Sequence, residues 1–111
     1  MRVSLTHEGS VTVVRPTGPM FSGELQEMDR ALLDLFNRWT KRLVLNLSDV
    51  TMIDSEGLEL LVRHQRQFAS HGLQIKLAHV NELLLKVLEI CRLNSRFEIY
   101  PETVNAIRSY L

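Results

Sequence analysis

Residues 43–61 read LVLNLSDVTMIDSEGLELL, and this stretch limits the fold more than any other. Leu43, Val44, Leu45 and Leu47 form a nearly continuous apolar run of strand length. A run of this kind fits a strand buried on both faces, in a sheet that helices cover. Asp49 to Asp54 then reads as a loop. From Ser55 the apolar residues recur at helical spacing, so a helix is expected over about 55–71, with Leu58, Leu61, Val62, Phe68 and Ala69 inward. A buried strand feeding a helix start is the repeating unit of an α/β fold, and its join is where such folds place reactive or modifiable groups. Ser55 stands at that join.

The flanking sequence repeats the pattern. Val3 and Leu5, then Val11, Val13 and Val14, mark two strands joined by the turn residues His7-Glu8-Gly9-Ser10, an opening hairpin. Pro16-Thr17-Gly18-Pro19 stops the second strand, because proline donates nothing to a ladder. Ser22 reads as the N-cap of a helix over about Gly23 to Arg38. Leu25, Met28, Leu32, Leu35 or Phe36, and Trp39 give that helix its apolar face. Gly72 suits a left-handed helix end. Leu73, Ile75, Leu77 and Ala78 make the next strand, with Gln74 and Lys76 on its polar face. Asn81 caps a third helix with a stripe of Leu84, Val87, Leu88 and Cys91, and Asn94 ends it. Phe97, Ile99 and Tyr100 form a last strand. Pro101 opens a final helix over 101–110, with Val104, Ile107 and Tyr110 or Leu111 inward.

The element order is ββαβαβαβα. It predicts an α/β domain: a mixed, mostly parallel sheet of about five strands packed with about four helices. A chain of 111 residues supplies one core, so residues 1–111 are expected to form a single domain. Thirteen basic and thirteen acidic residues cancel, which argues against a dedicated nucleic-acid or anionic-membrane binder. No apolar stretch reaches the roughly 20 residues of a membrane span. Residues 1–15 alternate where a signal peptide would run apolar. The chain therefore reads as a soluble cytoplasmic protein without direct membrane insertion. The one cysteine, Cys91, reads as a small core residue on a helix.

Catalytic motifs are missing. There is no GxxxxGK[ST] or GxGxxG loop to cradle phosphates. His7, His64, His71 and His79 form no metal-ligand pair, and Ser55 lacks the GxSxG elbow of a hydrolase. A receiver-type phospho-aspartate at Asp49 or Asp54 lacks the acidic pair for Mg²⁺ and a following lysine. The chain is expected to be no enzyme and to use no cofactor or metal. What the corner does carry is charge. Asp49, Asp54, Glu56 and Glu59 fall between Arg42 and Arg63 with no cation among them, so the local field is expected to be negative. Asp54 or Ser55 caps the helix. Gly57 either admits a partner's backbone or makes room for packing.

Leu43 to Leu58, with Asp54-Ser55-Glu56-Gly57-Leu58 at a helix start, resembles the core of STAS domains, those of sulfate transporters and anti-sigma factor antagonists. The resemblance extends over essentially the whole chain. It implies a regulatory protein-binding module. In stand-alone members the serine after the aspartate, here Ser55, is phosphorylated by an anti-sigma factor with serine kinase activity. The unmodified form binds that kinase; phosphorylation releases it and a PP2C-like phosphatase resets it. The resemblance thus implies Ser55 as the phosphorylation site and Asp54, Ser55, Glu56, Gly57, Leu58 and Glu59 as the partner-binding surface. Glu56 departs from the family, which has Ser or Thr there. A fixed charge beside the hydroxyl favours a second expectation, a non-phosphorylated STAS subunit of a lipid-transport ABC system or signalling assembly. A third, a small-ligand or nucleotide binder, finds no phosphate cradle.

Overall fold

The computed structural model describes all residues, 1–111. Strands β1 (Arg2–Glu8), β2 (Val11–Thr17), β3 (Leu43–Asn46), β4 (Ile75–Ala78) and β5 (Glu98–Tyr100) form one sheet in that order. Helices α1 (Gln26–Asn37), α2 (Ser55–Ala69), α3 (Glu82–Ile90) and α4 (Thr103–Ser109) alternate with the later strands, and a 3₁₀ turn, Asn94–Arg96, precedes β5. β1 runs antiparallel to β2, and every other pair is parallel. The expected fold class and element order are both present.

The short parallel strands are covered on both sides. On one face Met28, Leu32, Leu60, Phe68, Leu84 and Leu88 from α1, α2 and α3 join the main core. On the other, Ala106 of α4 packs with Val11, Val13, Val44 and Ala78. Burial on both faces is why β3 reads as a continuous apolar run. The hairpin closes on Gly9 and Ser10 alone, with Glu8 opposite Val11. His7 and Glu8 therefore belong to β1, not to the turn. Pro16 does not stop β2. It lies opposite Val3, past Val14, the last residue paired with β3. On that stretch β2 pairs on one side only, where a missing donor is tolerated.

Several residues lie elsewhere than expected. α1 begins at Gln26 without a side-chain cap, so Ser22 is not its N-cap. On α2 the buried residues are Gly57, Leu60, Leu61, His64 and Phe68; Leu58 and Val62 are half-buried and Ala69 is exposed. Leu61 and Phe68 are inward as expected, and Gly57, Leu60 and His64 complete the stripe in place of Leu58, Val62 and Ala69. Cys91 is exposed, since α3 ends at Ile90 before its apolar stripe reaches that residue. Asn94 opens the 3₁₀ turn and does not end α3. On α4 the fully buried residue is Ala106, with Ile107 and Tyr110 packed beside it as expected, while Val104 and Leu111 are exposed.

Lys76 departs furthest from its expected place on a polar face: it is 4% exposed. α4 roofs it. Its Nζ donates to Ser109 Oγ at 2.8 Å, lies 3.6 Å from Glu98 and sits 4.1 Å from the centre of the Tyr110 ring. A buried ammonium is tolerable only with partners of this kind. The Tyr110 hydroxyl lies 2.8 Å from the carbonyl oxygens of both Leu43 and Gln74. Burial pushes its pKa up to about 12, so it remains a donor at any ordinary pH.

Trp39 is not on the core face of α1. It is 67% exposed with φ +62°. Its N–H bonds to Phe36 O and the next N–H, of Thr40, bonds to Leu35 O. That pair of bonds is a Schellman helix end, whose left-handed position is usually glycine. The indole ring lies 5.3 Å from the His71 ring, which offers some compensation. Trp39→Gly is expected to leave stability unchanged or raise it by up to ~1 kcal/mol, because glycine takes φ > 0 freely. Urea unfolding checks this; a clear loss of stability would mean that the contact with His71 outweighs the backbone strain.

Candidate functional site

The strands β2, β3 and β4 all end at one edge of the sheet, and their loops meet there. Two of these loops are tied side by side. Met20 N–H donates to Met52 O at 2.9 Å, Asp54 N–H donates to Met20 O at 3.2 Å, and Met20 bridges Ile53 in parallel. Asp54 completes the clasp with its side chain. Oδ1 accepts from Gly57 N–H at 2.9 Å, as an N-cap does, and Oδ2 accepts from Ser22 N–H at 2.7 Å. One carboxylate thus starts α2 and holds the loop before α1. Those two N–H groups, Ser22's first, keep the Asp54 pKa below the usual carboxylate range.

Gly57 lies under this clasp. A Cβ built there would stand 2.4 Å from Met20 O and 2.7 Å from Ile53 Cγ1. Of its two expected roles, Gly57 has the packing one: it is buried against its own chain. Ser55, the first residue of α2, is exposed, as are Glu56 and Glu59. The geometry therefore presents a serine hydroxyl on a backbone that four hydrogen bonds around Met20 and Asp54 hold in place.

The sequence profile of the STAS domain matches residues 2–106. The chain belongs to the STAS domain family. The fold matches that of a Thermotoga maritima protein assigned to the anti-sigma factor antagonists: 23% identity, 96% of this chain, 92% of that one, TM-score 0.90. It matches phosphorylated SpoIIAA, a Bacillus cell fate determinant, at 14% identity over 99% of this chain and 100% of that one, TM-score 0.76. It also matches the murine anion transporter Slc26a9 at 17% identity, over 94% of this chain and 18% of the transporter, TM-score 0.78. At these identities the likeness establishes the fold. No protein of curated function matches the sequence.

In this STAS domain the six expected surface residues do not act alike. Ser55, Glu56 and Glu59 face outward, Leu58 is half-buried, Asp54 is occupied by its two N–H donors, and Gly57 is covered. The field is less acidic than the charge count implies. Asp49 pairs with Arg15 at 2.8 Å, which β2 brings across the sheet. Glu56 and Glu59 remain without ion-pair partners, on the wall of a cavity of about 460 Å³ shared with Asp29 and Arg63. Two apolar residues of the clasped loops, Phe21 and Met52, are exposed. So is Leu83, at the start of α3, whose cap Asn81 donates to Val50 O. Sequence reasoning passed over all three. Their signal was a large apolar side chain in a loop or a helix's first turn, with no periodic partner. No three His, Cys, Asp or Glu side chains converge as metal ligands. No helix is long and apolar enough to cross a membrane.

Behind the acidic wall, α1 and α2 are clamped together. Asp29 accepts from Arg63 at 2.6 Å and from His64 Nε2 at 2.7 Å. Burial alone would raise the Asp29 pKa, but the bonds from His64 and Arg63 outweigh it and the net shift is downward. His64 is 2% exposed, and its Nδ1 has no partner. The ring is therefore neutral, with the proton on Nε2. Burial, the largest influence, lowers its pKa despite the attraction of Asp29. The folded pKa lies below the unfolded value near 6.5. Stability is thus full above pH ~6.5 and falls as pH drops toward the folded pKa, because the unfolded chain takes up a proton the folded one refuses. Urea unfolding at pH 7.5 and 5.5 should show the fall, and His64→Gln should shrink it.

Proposed function

We propose that this STAS domain is a partner-switching antagonist. Its unmodified Ser55 corner binds an anti-sigma factor with serine kinase activity, and phosphorylation of Ser55 releases that partner. The observation that carries the reading is the exposed Ser55 hydroxyl at the first position of α2, on a corner fixed by Asp54. A kinase needs an accessible hydroxyl, and a switch needs a backbone that does not rearrange around it. The exposed Phe21, Met52 and Leu83 add apolar contact area at the same edge. The domain acts by binding and not by catalysis, in the cytoplasm, and a PP2C-like phosphatase returns it to the binding form.

Incubation with a cognate kinase and ATP should add about 80 Da, one phosphoryl group, to the peptide containing Ser55. Ser55→Ala should abolish the gain. Phosphate on another residue, or none, rejects the reading.

One observation favours a second reading. Nearly the whole chain matches a domain built into an anion transporter, and Glu56 already supplies a charge beside Ser55. On that reading the domain is a permanent subunit of a lipid-transport ABC system. It would then co-purify with a permease and an ATPase, unaffected by phosphatase treatment.

A further inference from the structure

The outer side of α2 carries two cavities, of about 430 and 450 Å³. Ser55 and Leu58 line the first; Gly72 and Phe97 line the second. Val62 and Arg66 wall both, so the two adjoin and form one groove along the helix. Along α2, from Ser55 to Ala69, the groove runs about 21 Å at helical rise. Leu58, Val62, Leu73, Leu93 and Phe97 give it an apolar lining. Val62, half-buried and outside the main core, faces this groove, and Leu58, packed against that core, borders it.

The charge of the groove is uneven. Arg66 and Arg96 line its far half, both are exposed, and neither forms an ion pair. Arg63 touches the near half but is held by Asp29. The acids, Glu56 and Glu59, lie at the Ser55 end. An apolar trough of helical length with two unpaired arginines at one end complements one kind of occupant. We infer that the groove receives an amphipathic acidic helix of a protein partner, with its apolar face on Val62 and Leu73 and its carboxylates against Arg66 and Arg96.

This inference names the chemistry of a partner on the same side of the molecule, and it rests on the switching reading only for what phosphate does. Ser55 lines only the near cavity and Arg96 only the far one, while Arg66 stands where the two meet. A phosphate on Ser55 therefore acts at the mouth of the groove and leaves the Arg96 contact in place. The groove supplies affinity and the mouth supplies control.

The test uses a synthetic amphipathic peptide of about 16 residues, leucine on one face and glutamate on the other, and a counterpart with lysine for glutamate. Each is titrated into ¹⁵N-labelled protein and followed by NMR. The acidic peptide should shift the amides of Val62, Arg66, Arg96 and Phe97. Arg66→Gln with Arg96→Gln should weaken it about tenfold, as expected for two exposed charge contacts, without changing the melting temperature. Ser55→Asp should change its affinity less than about twofold. Equal binding of the lysine peptide, shifts confined to Phe21 and Met52, or an undiminished affinity in the double variant would overturn the inference. So would displacement of the peptide by a fatty acid that alone produces the same shifts. None of these outcomes depends on whether Ser55 is phosphorylated, so the two proposals fail separately.

Discussion

Gly57→Ala is expected to destabilise the domain by about 2 kcal/mol and lower its melting temperature by about 10 °C. The new methyl would meet Met20 O at 2.4 Å. That atom is backbone, and it cannot swing aside as a side chain might. It accepts from Asp54 N–H while Met20 N–H is bound to Met52 O, so any shift breaks the clasp between the two loops. Overpacking of this kind costs typically 1–3 kcal/mol or somewhat more. The better helix propensity of alanine returns up to about 1 kcal/mol, which leaves the net loss stated. Differential scanning calorimetry measures it directly. An unchanged melting temperature would show that the loops yield, and that the rigidity ascribed to the Ser55 corner is absent. The same variant should reach the partner assay with weakened binding, because the displaced loop carries Phe21 and Ser22.

Phosphorylation of Ser55 is expected to weaken the partner complex at least a hundredfold while leaving the fold nearly as stable as before. The phosphate brings about −1.5 to −2 charges. At the first position of α2 it meets the positive end of the helix dipole, which favours it by up to about 1 kcal/mol. Glu56 and the Asp54 carboxylate oppose it by a similar amount, so the domain itself registers little. A partner surface that has closed over the corner has no such compensation. One like-charge contact at 4 Å reaches up to about 4 kcal/mol near a protein surface, and a hundredfold loss needs about 2.7 kcal/mol. Calorimetric titration of the partner into phosphorylated and unmodified protein decides it. If the melting temperature drops sharply on phosphorylation, release works through the fold. If the two forms bind alike, there is no switch at Ser55.

What could be seen in the sequence was whatever depends on neighbours along the chain. The caps at Asp54 and Asn81 and the glycine turn at Gly72 follow from local backbone chemistry, and all three are present. β3 was legible for a different reason, its unbroken apolar run. Misplacements gather where a distant element decides. Lys76 looks polar-facing until α4, 27 residues later, closes over it. His64 was missing from the expected inward stripe, and its place there depends on Asp29 of α1, which accepts a hydrogen bond from its ring. Trp39 reads as the last residue of an apolar stripe, yet the helix end turns it out to solvent. At the site, Ser55 and its acids were visible as a motif. Phe21 was not, because contacts made in the folded chain, the bridge between Met20 and Ile53 and the bond from Ser22 N–H to Asp54, bring its loop beside that motif.

The bond of Tyr110 to the carbonyls of Leu43 and Gln74 has a consequence for synthesis. Leu43 begins the middle strand and Gln74 directly precedes its neighbour, so the two central strands lack their shared fastening until residue 110 has left the ribosome. At about 5–20 residues per second, the stretch from Lys76 to Tyr110 takes roughly two to seven seconds to translate. For that interval the lysine has no roof, and a nascent chain holding β1 to β4 keeps one flank of its sheet bare. The domain should therefore acquire protease resistance in one late step, once α4 has emerged, and stalled chains ending before Tyr110 should remain readily cut.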